Sequence, residues 1–309
     1  MSAIAEPTAT TPATPRAALR EPRPSFAGCV GSELLKLSRQ GMLWAMVGLA
    51  LLLFAVIAAA VATAPGGLRS TLEQHPETFL FTLYDVYLAI FDTGSGILLL
   101  ILAARLVGME YSGGTIRVLL ARGAGRLRLL LAKLTALALL GLALLAGFLL
   151  LVGASVYATV LGWEGSFSRI SSLPGAVWTD LGIEALIALA SMCVCILIGT
   201  TAAVVGRSVA FGIGVALAVL PIDNFLVLVM ALLNGLTKWH GWLDVTTFLL
   251  GPNLNGLSVL MQTDHAARAA FATPLVKVDA VHAWLVVGAW ALALAVVSAA
   301  LTRRRDVLQ

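Results

Sequence analysis

Six long apolar runs separated by shorter polar stretches dominate the chain. They cover residues 42–61, about 86–106, 134–161, about 185–205, 208 to about 233, and 281–302. Each reaches the ~20 apolar residues needed to cross a bilayer as a helix. The second run contains Asp92 and Arg105, and the fifth is interrupted by Pro221 and Asp223. The third has 28 residues without a charge. At 1.5 Å per residue it would be roughly 42 Å long, so it tilts or projects beyond the hydrocarbon. The predicted fold is an all-α membrane protein with six transmembrane helices.

Two segments outside the runs carry their own pattern. Over 26–40, Phe26, Val30, Leu34 and Leu37 recur at helical spacing, with Glu33, Lys36 and Gln40 elsewhere on the wheel. This predicts a short amphipathic helix lying in the interface, with Gly41 offering a bend into the first span. Residues 245–260 are apolar but too short to cross, and Gly251-Pro252 breaks them. A re-entrant hairpin before the last span fits them best. Residues 1–24 hold five of the eleven prolines and no apolar segment, so they read as a disordered tail. Residues 25–309 then form one six-span membrane domain.

Composition agrees. Hydrophobic residues make up 60% of the chain and charged residues 12%, against about 25% charged in soluble domains. The three cysteines, Cys29, Cys193 and Cys195, make no framework and read as small packing residues. Basic residues are unevenly placed. Fifteen fall on the side that holds both termini, the 105–133 connection and Arg207, and five fall on the other. The positive-inside rule therefore puts both termini in the cytoplasm, with 65–84 and 235–280 outside. A multi-pass plasma-membrane location follows.

The most informative connection is the basic one between the second and third runs, 108–128. Glycines at 113–114 and 123–125 bracket a short helix expected over 115–121, with Ile116, Leu119 and Leu120 on one face. A loop that merely held basic residues against anionic lipid would not need this order of turn, helix and turn.

These residues resemble a known family. Glu110, Gly114-Thr115, Arg117, Leu119-Leu120, Arg126 and Lys133 look like the signature of type-2 ATP-binding-cassette exporter permeases. Glu33-Leu-Leu-Lys36-Leu-Ser-Arg39 is similar to that family's segment before its first span. The chain departs from many relatives in having Gly123-Ala-Gly125 where they carry proline after the Leu pair. The resemblance implies a permease subunit that pairs with a second permease copy, identical or similar. It also implies coupling, through Glu110, Gly114, Thr115, Arg117, Leu119, Leu120, Arg122 and Arg126, to a separate cytoplasmic ATPase holding ATP and magnesium. The path between protomers would be lined mainly by spans two and five.

The chain has no phosphate-cradling G-x-x-x-x-G-K-[ST] loop, no H-E-x-x-H and no C-x-x-C spacing, so neither catalysis nor a cofactor or metal of its own is expected. Acidic residues within the spans are costly and so informative. Asp92, Asp223 and Asn224 are candidates for the translocation path, with pairing inside the bundle as the structural alternative. For Asp85 and Glu184 a structural role is the stronger reading. A secondary transporter or channel using Asp92 and Asp223 is the alternative function, but no internal repeat supports it.

Overall fold

The computed structural model describes residues 25–63, 66–112, 125–261 and 273–304. Among these the secondary structure is helical throughout, with no strand. Eleven α-helices follow in order: α1 Phe26–Ser38, α2 Gly41–Ala62, α3 Gly67–Gln74, α4 Pro76–Ser112, α5 Arg126–Glu164, α6 Ser168–Ser171, α7 Gly175–Gly206, α8 Val209–Thr237, α9 Gly241–Val245, α10 Leu250–Met261 and α11 Ala280–Arg304. A 3₁₀ turn, Thr246–Phe248, joins α9 to the break before α10. Six of the helices are long and apolar enough to cross a membrane: α2, α4, α5, α7, α8 and α11.

The six helices coincide with the six apolar runs but extend past them. α4 has 37 residues and α5 has 39, so each is about 55–60 Å long against a hydrocarbon core of ~30 Å. The second apolar run itself ends at about residue 106. α4 runs on through Gly108 to Ser112. A Cβ at Gly108 would come within 2.9 Å of the Val209 backbone, so this glycine serves close packing of α4 on α8. Pro221 likewise does not interrupt α8, which is continuous from Val209 to Thr237.

α4 and α7 form the most extensive interface and the centre of the bundle. Small residues make it possible. A Cβ at Gly199 would run into the Leu100 carbonyl oxygen, and Ala103, Ala104 and Ala203 are fully buried. Close backbone approach of this kind is how helices associate in lipid, where no hydrophobic force separates a Leu–Leu from a Leu–lipid contact. Gly206 and left-handed Arg207 make the tight turn from α7 to α8. α2 and α8 lie at the periphery. α2 buries only Leu43 and Val61, and α8 only Gly212, Ala216 and Val227.

One end of the bundle carries Arg39, Arg126, Arg207 and Arg303 and is called the basic end here. α1 lies there. Ser25 caps its N-terminus, its Oγ accepting from Gly28 N at 3.0 Å. The chain turns at Arg39–Gln40, just ahead of the expected Gly41, and Trp44 Nε1 donates to the Ser38 carbonyl across the corner. The buried face of α1 is Cys29, Val30, Glu33 and Leu37. Glu33 therefore points inward, on a face that sequence periodicity assigned to apolar residues alone.

The 241–261 region is folded into the bundle rather than draped over it. Gly251-Pro252, expected to break the segment, opens α10 instead. Proline is tolerated in a first turn because the N–H it lacks has no partner within the helix. α10 buries most of its residues against α7, α8 and α11. Its contacts on α8 lie about 21 Å from the Thr237 end of that helix.

Candidate functional site

Two buried polar constellations stand out among the described residues. The first is at the basic end, where α1, the end of α4 and the start of α5 meet. Lys133 Nζ lies 3.0 Å from Glu33 Oε2 and 2.6 Å from Glu110 Oε1. Lys36 Nζ lies 2.7 Å from Glu33 Oε1 and 3.6 Å from Glu110 Oε1. Lys133, Glu33 and Glu110 are almost completely buried, and Lys36 closes the cluster at the surface. The four charges cancel. This neutrality makes burial tolerable, since a lone buried ion costs several kcal/mol. Burial lowers the proton affinity of Lys36, but the Glu33 hydrogen bond and the Glu33 and Glu110 charges outweigh it. The ammonium is held above the usual lysine range.

The covalent layout gives this cluster its interest. Glu110 stands just before the 113–124 connection and Lys133 about two turns into the helix that follows it. Their ion pair pins the two ends of that connection together, and Glu33 and Lys36 fasten α1 to both. Of the coupling residues expected from sequence, Glu110 is thus turned inward, where it positions the connection. Arg126 lies at the start of α5 and is half-buried. Gly114, Thr115, Arg117, Leu119, Leu120 and Arg122, with the helix expected over 115–121, lie outside the described residues. Glu33 and Lys133 are the partners that sequence reasoning did not pair. Both sit in the motif-like segments, but no spacing rule joins residues a hundred positions apart.

The second constellation surrounds α10. The Asp223 carboxylate accepts from the Gly251 and Leu250 backbone N–H groups at the start of that helix. A side chain from α8 therefore caps α10, satisfying N–H groups that a helix start leaves open and placing negative charge at the positive end of the dipole. Asn224 Oδ1 accepts from Asn255 Nδ2 at 3.1 Å. Gly251 is required by this fit, because a Cβ there would meet Asn224 Oδ1 at 2.6 Å. Toward the other end of α10, Ser258 Oγ donates to buried Glu184 Oε2 at 3.1 Å. Asn253, fully buried, donates to the Thr247 and Leu249 carbonyls. Asp223, Asn224 and Glu184 are thus gathered around one short helix. Asp92 is partly buried midway along α4. Cys29 and Cys195 are buried free thiols, and Cys193 is an exposed one.

No group of three or more His, Cys, Asp and Glu side chains suited to a metal occurs among the described residues. No curated protein matches the chain. The family described as ABC-2 family transporter protein matches residues 29–220, which take in α1, the first four spans, the 113–124 connection and the start of α8. That match covers well over half of the chain and includes every residue of the basic-end cluster. This chain, a multi-pass membrane protein with six apolar helices, belongs to the ABC-2 transporter family.

Proposed function

We propose that the protein is the membrane-spanning permease subunit of an ATP-driven exporter, powered by a separate ATPase chain bound at the 108–128 connection. The observation that carries this reading is the Glu33–Lys36–Glu110–Lys133 cluster. A push on the connection from a docked partner reaches α1, α4 and α5 together, because buried charges hold all three. Loss of any one partner would leave an uncompensated charge, so the junction moves as a unit rather than loosening. Family membership supports a transport role, and the chain's own sequence carries no nucleotide-binding loop.

The rest of the proposal follows from charge and packing. The basic end faces the cytoplasm, as do both termini, so the connection meets its partner there. α1 lies in the interface plane on that side. α10 and its neighbours form a re-entrant hairpin reached from the outer face. The weakly buried α2 and α8 leave faces on which a second permease copy can pack, and Asp92, Asp223 and Asn224 remain candidates for lining or gating the path. ATP and magnesium belong to the partner.

The experiment is reconstitution. The chain is co-expressed with a candidate ABC ATPase from the same genome, purified in detergent and placed in lipid vesicles. The reading expects a stable complex whose ATP hydrolysis depends on the permease. A chain that moves cargo down an ion gradient with no ATPase bound would replace it with a secondary transporter.

A further inference from the structure

α2 stands apart from its neighbours. Between it and the α4–α5 pair lies a cleft of about 620 Å³. Its floor includes Leu98 and Phe148, both almost fully buried, and Phe91 stacked on Phe148 with ring centroids 4.2 Å apart. The room comes from small residues: Ala50 on α2, Gly94 on α4, and Ala143 and Gly147 on α5. A Cβ at Gly94 or Gly147 would meet nothing within 4 Å. At its far end Phe54 stacks on Tyr87, with centroids 4.3 Å apart, and separates this cleft from a second one of about 560 Å³.

We propose that this cleft holds an acyl chain of one anionic membrane lipid from the leaflet at the basic end. Three features select that occupant. No charged side chain lines the cleft, so neither water nor a polar solute is stabilised inside it. Its mouth lies between helices whose outer faces, such as Leu49 and Leu52 of α2, stand in hydrocarbon. An empty cleft would forfeit the dispersion contacts of its whole lining. Its length also fits. Met46 and Ile57 line its two ends on α2, about 17 Å apart along the helix axis and roughly 8 and 24 Å from the helix start at Gly41, so a chain entering from the basic end has its upper methylenes beside residues 41–45 and its tail just past the midplane of the ~30 Å core. Charge fits as well. Arg39 is exposed at the turn just before α2, where a phosphate headgroup attached to that chain would lie. The lipid wedges α2 away from α4 and α5 and takes the place of helix–helix packing that the small residues do not supply. This site lies within one protomer and stands independently of coupling to an ATPase.

The test uses the full chain in phosphatidylethanolamine vesicles with a minor fraction of phosphatidylglycerol bearing a photoreactive diazirine midway along one acyl chain. After illumination, labelled peptides are mapped by mass spectrometry. The expected result is preferential labelling at Phe91, Leu98 and Phe148, above that of exposed Phe225 and Leu228 on α8. Gly147→Leu, which fills the cleft from α5, abolishes the preference and leaves the α8 labelling unchanged. Gly94→Leu does the same from the α4 wall and serves if Gly147→Leu fails to fold. A phosphatidylcholine probe with the same acyl chain labels the cleft less than the phosphatidylglycerol probe does. Cleft labelling no higher than that of α8, or unchanged in both variants, would overturn the site. Equal labelling by the two headgroups would overturn the anionic assignment.

Discussion

At the scale of single residues, the molecule spends its few buried charges at two junctions. Lys133 is the keystone of the first, because it alone touches both Glu33 and Glu110 at full burial. Lys133→Met leaves two buried carboxylates without their main partner and should destabilise the protein by about 3–5 kcal/mol. Thermal unfolding in detergent would show it as a large drop in Tm. A double-mutant cycle with Glu33→Gln should give a coupling of about 0.5–3 kcal/mol, and additive effects would mean that the two do not act as a pair. Lys36 adds a pH signature. Its proton affinity is raised in the folded state, so its contribution is complete at neutral pH and disappears as pH climbs through and past the ordinary lysine range. At the second junction Asp223→Asn keeps an acceptor for the α10 N–H groups, whereas Asp223→Leu removes it. Hydrogen exchange at Leu250 and Gly251 should rise little in the first variant. In the second it should rise by the equivalent of about 0.5–2 kcal/mol, the usual worth of a lost cap.

At the scale of elements, the six spans were legible because length and freedom from charge are local properties of a run. Their ends were not. α4 begins ten residues ahead of its apolar run, since packing of Phe79, Leu80, Phe81, Leu83 and Tyr84 holds the mixed stretch from Pro76 to Asp85 in helical form beside α3 and α6. Gly251 was read as a break and Pro221 as an interruption of its run from local propensity alone, and Gly108 was not singled out. Tertiary contact decides each differently: Val209 packs against Gly108, Asp223 and Asn224 close on Gly251, and α8 continues through Pro221. The charge cluster was half legible. Glu33, Lys36, Glu110 and Lys133 all lie in segments that resemble a family signature, but their mutual contact depends on a fold that brings together distant parts of the chain. At this scale Gly108→Leu should force α4 and α8 apart at the basic end, reduce the yield of folded protein and impair transport. Gly153→Leu on α5, where a Cβ meets nothing within 4 Å, should be tolerated. Equal yield and transport for the two variants would show that close α4–α8 packing is unnecessary.

At the scale of the whole molecule, the account rests on orientation and on coupling. Orientation is tested in a cysteine-free background, where Asp306→Cys should be shielded in intact cells and His240→Cys should react with an impermeant reagent. Coupling is the central claim, and the most direct test is the connection that Glu110 and Lys133 hold. Burying an apolar face there should outweigh rim charges: about 1.5–3 kcal/mol per leucine against about 0–1 kcal/mol per exposed ion pair. The deciding measurement is the amount of ATPase that co-purifies with Leu119→Asp and with Arg122→Ala, together with the hydrolysis each complex sustains. The account predicts that Leu119→Asp loses the partner and its stimulated hydrolysis while Arg122→Ala keeps most of both. Undiminished ATPase binding and transport by Leu119→Asp would contradict it and reduce the 108–128 connection to a basic membrane anchor.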